Sequence, residues 1–76
     1  GLPLGTLLEA ELEDKVKAAI RTIPSGSRRV FLLSRFHNMK YAEISEKLDI
    51  SVNTVKYHIK QALAHIRREL EPYLRK

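Results

Sequence analysis

Tyr41-Ala42-Glu43-Ile44-Ser45-Glu46-Lys47-Leu48-Asp49-Ile50-Ser51-Val52-Asn53-Thr54-Val55-Lys56-Tyr57-His58-Ile59-Lys60 is the stretch on which the fold turns. Ile44 and Leu48 give a short helix one apolar face, and Val55, Ile59 and Ala62 give a second helix its own. Asp49 breaks the chain between them, and Ile50 follows the break. Ser51 is placed to cap the second helix, because its hydroxyl can accept a bond from the free backbone N–H of Asn53 or Thr54. Two helices with facing stripes and so short a turn must pack crossed, as a helix-turn-helix.

Outward from this motif, the chain reads as helix throughout. Gly1 to Gly5 has two glycines and a proline and no periodicity, so residues 1–5 are expected to be a linker and residues 6–76 the domain. Thr6 and Glu9 have capping-box spacing at the head of a helix expected to reach about Thr22. Its acids crowd the first half, as the helix dipole prefers, and Leu8, Leu12, Val16, Ala19 and Ile23 form its core stripe. Pro24 to Ser27 breaks and restarts the chain, since proline suits only the first turn of a helix.

A second helix is expected from Ser25 to His37. Val30, Phe31, Leu33 and Phe36 make its apolar side wide, and Leu32 makes it wider. The reading preferred is a central helix touched on several sides, with an exposed docking patch as the alternative. Asn38 and Asp49 stand where left-handed residues are wanted, asparagine and aspartate being among the non-glycine residues that tolerate that conformation. The last helix is long, with Val55, Ile59, Ala62, Leu63, Ile66 and Leu70 on one stripe, and Pro72 is expected to end or kink it near Glu71. No segment has a strand pattern, so the fold class is all-α, four helices with a C-terminal helix-turn-helix, similar to a winged helix without its wing.

With 76 residues there is room for one domain. A chain this short hides only about 60–65% of its unfolded surface, so its core must be small. The absence of cysteine excludes disulfides and thiolate metal sites, and no apolar run approaches the roughly 20 residues of a membrane span. A soluble, cytoplasmic protein with no membrane partner is the expectation. The net charge of +5 is unevenly spread: residues 1–23 hold four acids against three bases, and residues 24–76 hold eleven bases against five acids. The basic part contains the helix-turn-helix, where it would attract phosphate and release counterions.

At about 100° per residue from Val55 as the inward direction, the far side of the last helix carries Asn53, Tyr57, Lys60, Gln61 and Ala64, flanked by Thr54 and Lys56. Asn and Gln pair bidentately with adenine, Lys reaches guanine acceptors, and Tyr presses on a thymine methyl. No acid occurs from Asn53 to Ala64. The bundle is therefore read as DNA-binding, with Asn53, Thr54, Lys56, Tyr57, Lys60 and Gln61 as base-reading candidates. Arg35, Lys40, Tyr41 and Ser51 are the phosphate candidates. Arg67 and Arg68 lie too far along the helix and are read as surface charge.

His37, His58 and His65 invite a metal site, but they lack cysteine partners and carboxylates at ligand spacing, so no metal or other cofactor is expected. No nucleophile elbow, glycine-rich phosphate loop or paired-carboxylate motif is present, and short helices offer little concave pocket. An enzyme with a small-molecule substrate is not expected.

Taken together, Ile23-Pro24 with Arg29 to Leu33, Tyr41 to Ile44, Ile50 to Val55, and Ala62 through Ile66-Arg67 resemble region 4 of bacterial RNA polymerase sigma factors, most closely the extracytoplasmic-function group. The similarity covers roughly residues 6 to 71. The core is also similar to the DNA-binding domain of LuxR-type response regulators, which often have a run like Thr54 to His58. The acidic first helix and the ending from Ala62 to Arg67 favour the sigma resemblance.

That resemblance implies recognition of the minus-35 promoter element in the major groove of double-stranded DNA. It also implies docking on the β flap of RNA polymerase core through the first helices, and leaves room for capture by an anti-sigma factor. The domain is then one piece of a longer factor. The family often has Ala where Ser45 stands, Gly where Asn38 and Asp49 stand, and arginine on the reading face where this chain has Lys56, Tyr57, Lys60 and Gln61. The class-distinct alternative is a protein-interaction module whose helix-turn-helix does not read DNA.

Overall fold

A computed structural model describes the backbone of residues 4–74 and the side chains of residues 9–74. They form four helices, α1 (Leu4–Arg21), α2 (Ser25–Arg35), α3 (Tyr41–Leu48) and α4 (Val52–Leu74), with no strand among the described residues. The all-α architecture with a C-terminal helix-turn-helix is thus as the sequence implies. No helix among the described residues is long and apolar enough to cross a membrane.

The turns follow the local chemistry. Asn38 and Asp49 both take φ 53°, the left-handed region. Asp49 closes α3 by donating its backbone N–H to the Glu46 carbonyl at 3.4 Å, and Ile50 N–H returns to the Ser45 carbonyl at 3.1 Å. These bonds satisfy carbonyls that a helix end leaves open. The Ser45 hydroxyl donates to the Ile50 carbonyl and ties the turn down further. At the other end of α3, the Glu43 carboxylate accepts the Lys40 backbone N–H at 2.8 Å.

Val30, Ile44, Val55 and Ile59 form one buried cluster, joining α2, α3 and α4, with Leu33, Met39, Tyr41, Leu48 and Ile50 packed around it. Ile23, Phe31 and Ala62 form a second, which adds the end of α1 and is flanked by Ile20, Leu32 and Ile66. Helix α4, which supplies residues to both clusters and packs against the other three helices, is the central one; beside it, α2 gives Val30 to one cluster and Phe31 to the other. The wide apolar side of α2 is therefore mostly core, and only Phe36, 63% exposed, stands clear of it.

Five expectations are corrected. Helix α1 begins at Leu4, so Thr6 lies inside it and cannot be its N-cap. Nothing from Leu4 onward breaks a helix, and Gly5 costs only about 1 kcal/mol there. Leu12, assigned to the core stripe, is 43% exposed, and Val16 is only half-buried. Helices α1 and α4 run antiparallel, with Thr22 beside His65 and the Lys15 ammonium 4.8 Å from the centre of the Tyr73 ring. The turns of α1 before Lys15 therefore pass beyond the last described turn of α4. The expected core side chain of Leu8 lies outside the described residues.

Helix α2 stops at Arg35 rather than His37: Phe36 N–H makes the last regular helical bond, to the Leu32 carbonyl at 2.9 Å, after which His37 N–H returns to that same carbonyl at 3.3 Å and, past left-handed Asn38, Met39 N–H returns to the Leu33 carbonyl at 3.1 Å. Leu63 is 45% exposed. It sits about 80° from Val55, on the flank opposite the one that His58 and His65 turn toward α1 and α2. Finally, α4 starts at Val52 with Ser51 as its cap, and it continues through Pro72 to Leu74. A proline removes one backbone bond and crowds the carbonyl four residues back. This close to the helix end, buried Leu70 and the Lys15–Tyr73 contact hold the final turn in place.

Candidate nucleic-acid interface

Helix α4 presents its outer face because Val55, Ile59 and Ala62 anchor its inner one, each no more than 5% exposed. The start of the helix is equally defined. Ser51 Oγ accepts the Thr54 backbone N–H at 3.0 Å, and Val55 N–H reaches the Ser51 carbonyl at 3.0 Å. Ser51 Oγ also lies 2.9 Å from Thr54 Oγ1. Two hydroxyls share one hydrogen in that contact, so one hydroxyl hydrogen of the pair stays free to donate outward.

Asn53, Lys56, Tyr57, Lys60 and Gln61 are all exposed, while Thr54 is half-buried beside its cap. The structure thus brings the base-reading candidates together on one accessible strip, with Thr54 at its margin. No ion pair joins Lys56 or Lys60 to a carboxylate among the described residues. Unpaired ammonium groups on an acid-free face produce the positive field that phosphate oxygens seek.

The phosphate candidates divide. Arg35 at the end of α2 and Lys40 before α3 are exposed, and Ser51 is exposed with its hydroxyl in the cap. Tyr41 is half-buried and packs its ring on the α2–α3–α4 cluster, so it is first of all a core residue. Not every base faces outward for use: Arg28 donates from its guanidinium to the Arg21 carbonyl at 2.7 Å, closing the end of α1.

Two links escaped the sequence reading, which considered the histidines only as metal ligands. Ser27, buried at 6% exposure, has its Oγ 2.8 Å from His58 Nδ1. Thr22 Oγ1 lies 2.8 Å from His65 Nε2. A hydroxyl on each side of Ile23-Pro24 thus meets a histidine on the same flank of α4. The available signal was two histidines seven residues apart facing a serine and a threonine, a pattern with no meaning until the helices are packed.

The family model for sigma-70, region 4 matches residues 13–66, most of the chain. No curated protein and no solved structure matches it. The matched span runs from α1 through most of α4, so it includes the whole helix-turn-helix and both buried clusters. Sigma-70 region 4 is a non-enzymatic, DNA-binding family that works with RNA polymerase. With its fold, its helix-turn-helix and this match in agreement, the chain belongs to the sigma-70 region 4 family, whose sigma factors bind DNA in transcription initiation.

Proposed function

We propose that α4 enters the major groove of promoter DNA at the minus-35 element. Asn53, Thr54, Lys56, Tyr57, Lys60 and Gln61 face base edges there, and Arg35, Lys40, Tyr41 and Ser51 lie along the phosphates. The observation that carries this reading is the exposed, acid-free strip from Asn53 to Gln61 on a helix whose start is capped at Ser51. Asn and Gln suit adenine, and the two lysines suit guanine acceptors or phosphate. Docking on the β flap of polymerase through the first helices goes with it, supported by the exposed Phe36 at the end of α2 and Leu12 on α1.

Titrating the chain with promoter-like duplex at several salt concentrations tests the DNA reading. Affinity falling steeply with salt is expected, because released counterions drive phosphate contact. Salt-independent or absent binding would instead favour an interaction module that meets polymerase or an anti-sigma factor without reading DNA.

A further inference from the structure

Tyr57 stands in the middle of the outer strip, 57% exposed, one helical turn from Asn53 on one side and from Gln61 on the other. Its ring is not left to swing freely. The Tyr57 and His58 rings meet edge to face, with centroids 5.4 Å apart and planes at 68°. His58 is half-buried and held from α2, with Nδ1 2.8 Å from the buried Ser27 hydroxyl. The start of α2 also runs beside it: a Cβ on Gly26 would lie 3.5 Å from His58 Cε1, at ordinary contact distance. The chain Ser27, His58, Tyr57 therefore runs from the core to the reading face.

An aromatic ring on a helix in the major groove of intact duplex has few partners. Base faces are stacked out of reach, and the edges of guanine, cytosine and adenine present polar atoms there. Thymine alone adds an apolar group, its C5-methyl. We propose that Tyr57 is a specificity-determining residue that selects thymine through this methyl group, and that His58, clamped by Ser27, is the positioning residue that presents the ring. This rests on the DNA-reading function proposed above. Asn53 and Gln61, which suit adenine, share the line of Tyr57 on the helix, so that line favours A·T pairs, while Lys56 and Lys60 beside it suit guanine acceptors or phosphate.

The test uses the full chain and a duplex it selects from a random pool. Each thymine is replaced in turn by deoxyuridine, which removes the methyl and nothing else. One position should lose affinity by about fourfold, the value of one buried methyl-sized group. Tyr57→Ala should abolish that difference, and Tyr57→Phe, which keeps the ring and loses the hydroxyl, should retain it. Ser27→Ala should shrink it in protein whose circular dichroism shows it folded, since general instability does not alter a ratio between two duplexes.

If binding is steeply salt-dependent but no deoxyuridine position matters, the thymine assignment falls and DNA reading stands. Loss of the difference in Tyr57→Phe would point to the hydroxyl and overturn the methyl contact. An unchanged ratio in Ser27→Ala would overturn the positioning role, and absent or salt-independent binding would overturn the inference together with the function beneath it.

Discussion

Thr22 Oγ1 and His65 Nε2 meet at 2.8 Å across the junction of α1 and α4, although 43 residues separate them in the chain. The direction of this bond is determined. The single hydroxyl hydrogen of Thr22 goes to the Ala19 carbonyl, 2.9 Å away, so His65 Nε2–H is the donor. Glu69 Oε1 lies 3.9 Å from the same nitrogen, one turn along α4. The contact holds the last turn of α1, with Ala19 and Ile23, against the middle of α4.

His65→Ala removes that tie. The expected loss is about 0.5–1 kcal/mol, the net value of one hydrogen bond. In a domain of this size it lowers the melting temperature by roughly 2–8 °C, measurable by circular dichroism. An unchanged melting temperature would show that the Ile23–Phe31–Ala62 packing positions α1 without it.

The apolar stripes of α3 and α1 offer a contrast within one chemistry. Ile44 is fully buried between α2 and α4, so Ile44→Ala is expected to cost about 2–5 kcal/mol and leave the domain largely unfolded at 37 °C. Leu12→Gln, at an exposed position, should change stability by no more than about 0.5 kcal/mol. Urea denaturation of the two variants measures both.

Asp49 closes α3 at φ 53° and ψ 51°, a conformation that glycine adopts without steric cost. Asp49→Gly is therefore expected to be neutral or to stabilise by up to about 1 kcal/mol. A clear fall in melting temperature would mean that the carboxylate makes up more than the backbone strain.

Lys60→Ala should weaken binding to promoter-like duplex and reduce the slope of log affinity against log salt by about 1 if the ammonium meets a phosphate. Weaker binding with an unchanged slope, confined to some sequences, would assign Lys60 to a base edge instead. Affinities at four or more salt concentrations separate these outcomes.

Much of this protein was legible in short-range pattern. The three- and four-residue steps of Ile44 and Leu48, and of Val55, Ile59 and Ala62, located the two motif helices. The Ser51 cap and the left-handed Asn38 and Asp49 followed from side-chain chemistry acting over a few residues. The acid-free strip on α4 could be drawn because a helix once located has fixed angles between its residues.

What the sequence by itself determined were features decided within one helical turn: four helices, their breaks, the inner and outer faces of α4, and the basic balance around the motif. What only the tertiary structure decided was which apolar residues find a partner. Leu12 and Leu63 match the helical stripe as well as Ile23 and Ile59 do, yet they stay exposed because the antiparallel α1 and α4 overlap only in part and α4 turns its other flank inward. Pro72 stays helical, and Ser27 and Thr22 meet His58 and His65, for the same reason. Each outcome depends on groups tens of residues apart in the chain, whose meeting is set by packing rather than by any local preference.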